Sequence, residues 1–223
     1  MRRVLPWLVL VAAAVAIGAA LEFLPRPLLF VAKPLATILI GVYAWPRGSE
    51  VPAMRRLVLA GLGLSLLGDI ALLWPKEGFL PGLVAFLLAH LCYIAAFCRP
   101  LRFAARPGPF VGYGVVALGI LAWLWSGVAP GLRAPVVAYV ACLASMAAQS
   151  AGWWLGARGT PAAPLARHAA IGGALFLASD ALLAINKFAL PLPFASLWIL
   201  ATYWAAQWAI ASSLRSGDSR TGH

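Results

Sequence analysis

The chain has few charged residues and very few acidic ones. Among its 223 residues, Asp and Glu together number six, and charged residues make up only 10%, whereas about a quarter is typical of soluble domains. Hydrophobic residues make up 63%, and the mean hydropathy is +0.92. A soluble core cannot enclose that much apolar surface, so the composition excludes a water-soluble globular protein.

Cysteine is scarce as well. Cys92, Cys98 and Cys142 fall inside apolar segments or at their ends, and they show no metal-ligand spacing. The sequence therefore indicates neither a disulfide framework nor a cysteine-based metal site. We expect the three thiols to be packing residues, and we expect no cofactor and no bound metal.

What the chain does have is a series of long apolar segments, separated by clusters of Pro, Gly and Arg. A membrane-spanning helix needs about 20 mainly apolar residues, and eight segments approach that length. The predicted spans are 4–24, 28–45, 56–74, 79–98, 110–126, 134–156, 166–187 and 193–214. The predicted fold is an all-α integral membrane bundle of about eight transmembrane helices in a single domain, 1–214, with a short flexible cytoplasmic tail, 215–223. Six or seven spans are the alternative, because Gly and Pro are frequent in the fifth and sixth.

The net charge of +11 comes from basic residues at the ends of these segments, singly or in pairs. They form no solvated stripe, so we expect no nucleic-acid partner. With the N-terminus inside, the inner segments hold 12 of the 17 Lys and Arg residues and the outer turns hold three: Arg26, Lys76 and Arg133. This asymmetry predicts that both termini are cytoplasmic. The expected location, by default, is a bacterial inner membrane. A cleaved secretory signal that begins with Arg2 and Arg3 is the alternative.

Three of the six acidic residues fall within predicted spans: Glu22, Asp69 and Asp180. An ionisable group is costly in a bilayer, so such residues normally face a bundle interior and mark function. A small residue precedes Asp69 and Asp180, a Leu pair follows each, and a Lys lies seven residues on. The similarity predicts a four-plus-four repeat with parallel halves, in which the two carboxylates approach each other.

Further polar residues share helix faces with one another. His90 and Tyr93 lie on one stripe of the fourth span with Phe86 and Phe97, Tyr203 and Gln207 share a face of the eighth span, and Ser145 and Gln149 share one of the sixth. The outer ends add Glu22, Lys33, Asn186 and Lys187. We expect most of this set to lie in the outer half of the bilayer.

Each of these residues also has a structural interpretation. A buried Asp can pair with a Lys to hold two helices together, and His90 can make a structural hydrogen bond. Tyr and Gln often link helices within membranes. Lys33 and Lys187 can extend to the outer headgroups.

The arrangement of these residues resembles the YhhN-like membrane proteins, whose animal members are lysoplasmalogenases. The matching residues are Lys33-Pro34; Gly68-Asp69 with Leu72-Leu73; Phe79, Gly82, Phe86, Ala89-His90 and Tyr93; and Gly173, Phe176, Ser179-Asp180, Leu182-Leu183-Ala184 and Lys187-Phe188. The resemblance covers most of the chain. It implies an eight-helix membrane hydrolase that cleaves the vinyl ether bond of lysoplasmalogens, giving a fatty aldehyde and glycerophospho-ethanolamine or glycerophospho-choline. The implied partners are a lysophospholipid substrate and the bilayer.

The chemistry of this reaction suits the residues. A vinyl ether hydrolyses when an acid protonates its β-carbon and water attacks the resulting oxocarbenium ion, a demand close to glycoside hydrolysis by two carboxyl groups. We expect Asp69 and Asp180 to divide these tasks and His90 to orient or activate the water. The expected substrate-binding residues are Lys33 and Lys187 for the phosphate, together with Tyr93, Tyr203, Asn186 and Glu22.

Other functions fit the same residues. A metal-dependent hydrolase would use Asp69, His90 and Asp180 as ligands, although no local metal motif supports it. A proton-coupled carrier of a small molecule or lipid also places Asp, His and Lys within the membrane. A lipid-binding protein without enzymatic activity is a third possibility, and the oligomeric state is left open.

Overall fold

The computed structural model describes residues 4–74 and 76–216. Arg2, Arg3 and Arg220, on which part of the charge asymmetry depends, lie outside the described residues, as does the predicted tail from residue 217 onward. The described residues form eight α-helices and no strand. The helices are α1 (Leu5–Ala20), α2 (Pro27–Ala44), α3 (Pro52–Ala71), α4 (Phe79–Phe97), α5 (Pro107–Leu124), α6 (Pro130–Ala157), α7 (Ala163–Phe188) and α8 (Ala195–Ser212).

Proline determines where most of these helices begin. Six of the eight have a proline in the first two helical positions, where the missing N–H is not needed and the fixed φ suits a helix. Each helix overlaps one predicted span, but several begin three or four residues earlier than predicted. These spans were predicted to begin after the prolines, whereas the helices include the prolines in their first turn.

The end of α1 corrects one prediction. Glu22 was expected within the first span, but α1 ends at Ala20 and Glu22 adopts a positive φ of 63° in the turn that leads to α2. A non-glycine residue rarely adopts that conformation inside a regular element. Glu22 is exposed and therefore carries none of the cost of an acid buried in a bilayer.

The helices are long and apolar. By length and composition, five of them can cross a membrane: Pro27–Ala44, Phe79–Phe97, Pro107–Gly127, Pro130–Ala157 and Ala163–Phe188. The third of these ranges includes the short 3₁₀ turn that continues α5. Large apolar side chains are exposed along the outside of the bundle, which is the arrangement required when lipid is the solvent. The protein is therefore an integral membrane protein.

Six helices form a closed ring in the order α2, α3, α4, α6, α7 and α8, with α8 returning to α2. Outside it, α1 packs against α2 and α8, and α5 packs against α6 and α7. Advancing every helix by four positions in chain order maps the ring onto itself. The repeat predicted from the two Asp motifs is therefore compatible with this packing, and α3 and α7 take equivalent places in it.

The two ends of the bundle differ. The connections after α1, α3, α5 and α7 form one end, here termed the cavity end, and those after α2, α4 and α6, together with the chain after α8, form the far end. The far end is closely packed, with Phe97, Ile210 and Leu214 fully buried. Gln149 holds the connection after α4, since its amide donates to the carbonyls of Phe97 and Leu101.

Candidate active site

A cavity of about 430 Å³ lies at the cavity end, and every helix contributes to its lining. Most of the wall is apolar, from Leu, Phe, Val, Ile and Ala side chains. A few polar groups face the same space: Lys33, Asp69, Tyr139, Ser179, Asp180, Asn186, Lys187, Ser196 and Tyr203. An apolar pocket with a small number of convergent polar groups is typical of a small-molecule or lipid site.

Asp69, near the end of α3, is 1% exposed and has three polar neighbours. The Thr37 hydroxyl donates to Oδ2 of Asp69 at 2.6 Å, and the Tyr203 hydroxyl donates to the same oxygen at 2.7 Å. Nζ of Lys33 lies 3.8 Å from Oδ1. Helices α2 and α8 therefore supply one cation and two hydroxyl donors, which together compensate the burial of this carboxylate.

Asp180, on α7, has a different environment. Tyr139 on α6 donates a short hydrogen bond to Oδ2 of Asp180. Within the described residues, no Lys, Arg or His nitrogen lies within 4 Å of this carboxyl group. The site therefore holds one carboxyl group paired with a cation and one that is not.

A second layer of polar side chains lies behind Asp69. The indole N–H of Trp204 donates to Oγ1 of Thr37 at 3.2 Å. The amide nitrogen of Gln207 donates to the Tyr203 hydroxyl at 3.3 Å, and the Tyr93 hydroxyl donates to Oε1 of Gln207 at 2.7 Å. Thr37, Trp204, Gln207 and Tyr93 are buried and do not line the cavity, whereas Tyr203 does. Tyr93, expected at the substrate, thus lies behind the site.

His90 also lies behind the cavity wall. Its ring is fully buried, 4.5 Å from the Phe176 ring and 5.4 Å from the Tyr139 ring between centroids. Neither ring nitrogen has a hydrogen-bond partner among the described residues. His90 is not among the residues that line the cavity.

The remaining predicted residues divide between the cavity and the surface. Lys187 is exposed, and its ammonium lies 4.1 Å from the centre of the Phe79 ring at the edge of the cavity. Asn186 also lines the cavity, but its Oδ1 accepts from the backbone N–H of Leu192 and so holds the turn before α8. Lys33 is 7% exposed and does not extend to the surface. Glu22 does not line the cavity.

The Lys that lies seven residues after each Asp is on the same helix as that Asp in only one half of the chain. Asp180 and Lys187 both lie on α7, but α3 ends at Ala71, so Lys76 lies in the connection that follows. Lys33 from α2 occupies the place beside Asp69 instead. Within the described residues, no group of three or more His, Cys, Asp and Glu side chains could hold a metal ion, so Asp69, His90 and Asp180 do not form the ligand set considered from the sequence.

The sequence of this chain matches a known protein family. The model of the YhhN family matches residues 28–214. This segment begins at the second residue of α2 and includes all of the helices that follow it. The chain belongs to the YhhN family.

Several curated relatives of this YhhN protein carry the name lysoplasmalogenase. It is 35% identical over 167 residues to lysoplasmalogenase TMEM86B of Rattus norvegicus, covering 74% of this chain and 64% of that one. It is 34% identical over 203 residues to the human protein of the same name, covering 85% and 76%. Lysoplasmalogenase of Mycobacterium bovis is 33% identical over 172 residues, covering 72% and 59%. The chain thus spans about three fifths to three quarters of the length of these relatives. No solved structure matches it.

Three residues of the site in this YhhN chain were not predicted from the sequence: Thr37, Tyr139 and Trp204. Each is a single polar or aromatic residue within an apolar helix, and none belongs to a recognisable motif. Thr37 and Trp204 are 167 positions apart in the chain, so only the packing of α2 against α8 brings them together. The one available signal was that Thr37 lies four residues after Lys33, on the same face of α2.

Proposed function

We propose that this protein is a membrane hydrolase of the lysoplasmalogenase type. It cleaves the vinyl ether bond of a lysoplasmalogen to give a fatty aldehyde and glycerophospho-ethanolamine or glycerophospho-choline. The observation that carries the proposal is that Asp69 and Asp180 both line one largely apolar cavity. The names of the curated relatives agree with this reaction.

The reaction requires these two acids in one place. An acid adds a proton to the β-carbon of the vinyl ether, and a nearby carboxylate stabilises the oxocarbenium ion that forms. Water adds to the α-carbon, and the resulting hemiacetal releases the aldehyde and the glycerol alcohol. Asp69 and Asp180 are the proposed catalytic residues. Because His90 has no contact with the cavity, we assign it no action on the water.

The rest of the cavity suits a single-chain lipid. Its apolar walls accommodate the alkenyl chain, and the exposed ammonium of Lys187 at the edge of the cavity is placed to bind the phosphate. Tyr203, which reaches the cavity while it donates to Asp69, would contact the substrate near the vinyl ether. Lys33 serves Asp69 in this proposal and does not bind the headgroup.

We further propose that all eight helices cross a bacterial inner membrane and that both termini are cytoplasmic. Nine described arginines lie at the far end, against five basic residues at the cavity end: Arg26, Lys33, Lys76, Arg133 and Lys187. The far-end arginines are Arg47, Arg55, Arg56, Arg99, Arg102, Arg106, Arg158, Arg167 and Arg215. The positive-inside rule assigns the far end to the cytoplasm, so the cavity opens toward the outer leaflet.

The test is mass spectrometry of purified, detergent-solubilised protein incubated with vinyl ether lysophosphatidylethanolamine and, separately, with its acyl counterpart. We expect aldehyde from the vinyl ether lipid only, and loss of this activity in Asp180→Asn. Glu50→Gln is the matched control, because Glu50 is a partly exposed acid in the connection after α2 and should leave turnover unchanged. Proton-driven uptake into proteoliposomes without lipid turnover would support a carrier instead, and recovery of intact bound lysolipid would support a lipid-binding protein.

A further inference from the structure

The two acids of the cavity differ in the groups that surround them, and the difference extends to side chains that never touch the cavity. Trp204 on α8 is 3% exposed, and Thr37 on α2 is 1% exposed. The Trp204 indole nitrogen lies 3.2 Å from Oγ1 of Thr37, which in turn lies 2.6 Å from Oδ2 of Asp69. The three side chains form an unbranched hydrogen-bond chain that ends on the carboxylate.

The direction of this chain follows from the chemistry of its first member. An indole N–H can only donate, so Thr37 accepts from Trp204. The Thr37 hydroxyl carries one proton, which it donates to Oδ2 of Asp69 at 2.6 Å. Protonation of Asp69 at this oxygen would weaken the buried hydrogen bonds that Thr37 and Tyr203 donate to it, which is costly.

The second hydroxyl at Asp69 has the same arrangement. Gln207 donates from its amide nitrogen to Tyr203, and Tyr203 donates to Oδ2 of Asp69. Gln207 is itself oriented by Tyr93, whose hydroxyl donates to Oε1. Each hydroxyl group that donates to Asp69 therefore accepts a hydrogen bond from a side-chain nitrogen on its other side. Lys33 adds a positive charge beside Oδ1.

We propose that Trp204 is a positioning residue that acts through Thr37 to keep Asp69 ionised, which leaves Asp180 as the acid that donates the proton. The division of roles rests on the proposed function. Among the residues that the structure describes, Asp180 has one hydroxyl donor, on Oδ2, and no cation within 4 Å, so Oδ1 can carry a proton.

The reaction then balances. Asp180 gives its proton to the β-carbon, where a C–H bond forms from the double-bond electron pair, and the ether oxygen donates a lone pair to the α-carbon. The Asp69 carboxylate stabilises the resulting cation. Water adds to the α-carbon, its released proton returns to Asp180, and the bond between the α-carbon and the glycerol oxygen breaks as that oxygen takes the hydroxyl proton of the hemiacetal.

The first experiment is a double-mutant cycle on turnover of vinyl ether lysophosphatidylethanolamine. Trp204→Phe removes the indole donor and keeps an aromatic ring, and Thr37→Val removes the hydroxyl and keeps the shape. We expect each variant to lower kcat about tenfold, the value of one buried hydrogen bond, with KM nearly unchanged. Because Trp204 acts through Thr37, the double variant should be no slower than Thr37→Val.

Two further variants test whether the effects are specific to the Thr37 hydroxyl and to Trp204. Thr37→Ser should restore most of kcat, since it restores the hydroxyl. Trp208→Phe is the control, because Trp208 lies one helical turn further along α8 and stacks on Tyr43 at 3.9 Å between ring centroids; its kcat should not change. If Trp204→Phe slows the Thr37→Val enzyme by a further factor of ten, Trp204 does not act through Thr37 and the proposal is wrong.

Infrared difference spectroscopy tests the protonation states of Asp69 and Asp180 without substrate. This test of the proposal is therefore valid even if the protein hydrolyses no lipid. At neutral pH we expect Asp69→Asn to remove a carboxylate band and Asp180→Asn to remove the band of a protonated carboxyl group. Thr37→Val combined with Gln207→Leu should convert part of the Asp69 signal to the protonated form. Loss of a protonated band in Asp69→Asn would overturn the assignment.

Discussion

Tyr139 on α6 donates a hydrogen bond to Oδ2 of Asp180 on α7. Thr37 on α2 does the same for Oδ2 of Asp69 on α3. Since α2 and α6 take equivalent places in the two halves of the ring, as do α3 and α7, each acid receives a hydroxyl from the preceding ring helix. Within residues 4–74 and 76–216, Asp69 has a cation in addition and Asp180 does not. The two halves of the site therefore have the same arrangement of hydroxyl donors but differ in charge.

Tyr139→Phe removes the hydroxyl that orients Asp180. We expect kcat to fall about 10- to 100-fold, the range for a hydrogen bond to an ionisable group, with KM changed little because the ring still lines the cavity. Initial rates of aldehyde release give both constants. Tyr113→Phe on α5 is the control and should keep wild-type kcat; equal losses in both variants would contradict a specific role for Tyr139.

Lys33→Met leaves the Asp69 carboxylate buried without its cation. We expect the free energy of unfolding in detergent to fall by about 3 kcal/mol or more, because breaking one side of a buried ion pair exposes the full desolvation cost of the other. Combining it with Asp69→Asn should recover most of this loss while activity stays absent. Arg215→Gln in the partly exposed Arg215–Glu50 pair should cost less than about 1 kcal/mol.

Lys187→Met tests the phosphate contact at the edge of the cavity. Because this contact is equally present in the ground state and the transition state, KM for the lysophospholipid should rise about tenfold while kcat is kept. Lys76→Met is the matched control, since Lys76 is an exposed lysine at the same end of the bundle that does not line the cavity. A fall in kcat with unchanged KM would instead place Lys187 near the reacting bond.

Gly68→Ala tests the packing that holds Asp69 in place. A Cβ at this position would lie 2.6 Å from Cε2 of Phe86, whereas a Cβ at Gly63 on the same helix would meet nothing within 4 Å. We expect Gly68→Ala to destabilise the protein by about 1 to 3 kcal/mol through overpacking. Gly63→Ala should be neutral or slightly stabilising, since Ala favours the helix. Thermal unfolding in detergent compares the two.

The orientation of the bundle can be measured by cysteine labelling in intact cells, with Cys92, Cys98 and Cys142 first replaced. Lys76→Cys, in the connection after α3, should react with a membrane-impermeant maleimide supplied from outside. Arg158→Cys, at the end of α6, should react only after the inner membrane is permeabilised. The reverse pattern would invert the proposed topology.

The sequence predicts the helical bundle well because the length and hydropathy of the segments specify it. The positions of the prolines give the starts of most helices more accurately than hydropathy does. It also identifies Asp69 and Asp180, since an acid in an apolar helix is conspicuous. It does not identify their partners. Lys33 lies 36 positions before Asp69 and was expected at the headgroups, and Tyr139 resembles any aromatic residue of α6 until α7 packs beside it. His90 was expected at the substrate for its chemistry, but its face of α4 turns toward Phe176.

The closely packed far end has a consequence for how material passes through the protein. With Phe97, Ile210 and Leu214 fully buried there and Gln149 holding the neighbouring connection, we expect the cavity to open at the opposite end of the bundle. Under the proposed function, the lysolipid and both products use that opening. The aldehyde is oily and dissolves in the surrounding leaflet, whereas the glycerophosphate ester is soluble and departs into water. An opening at the interface between lipid and water therefore lets the two products separate by their solubility alone.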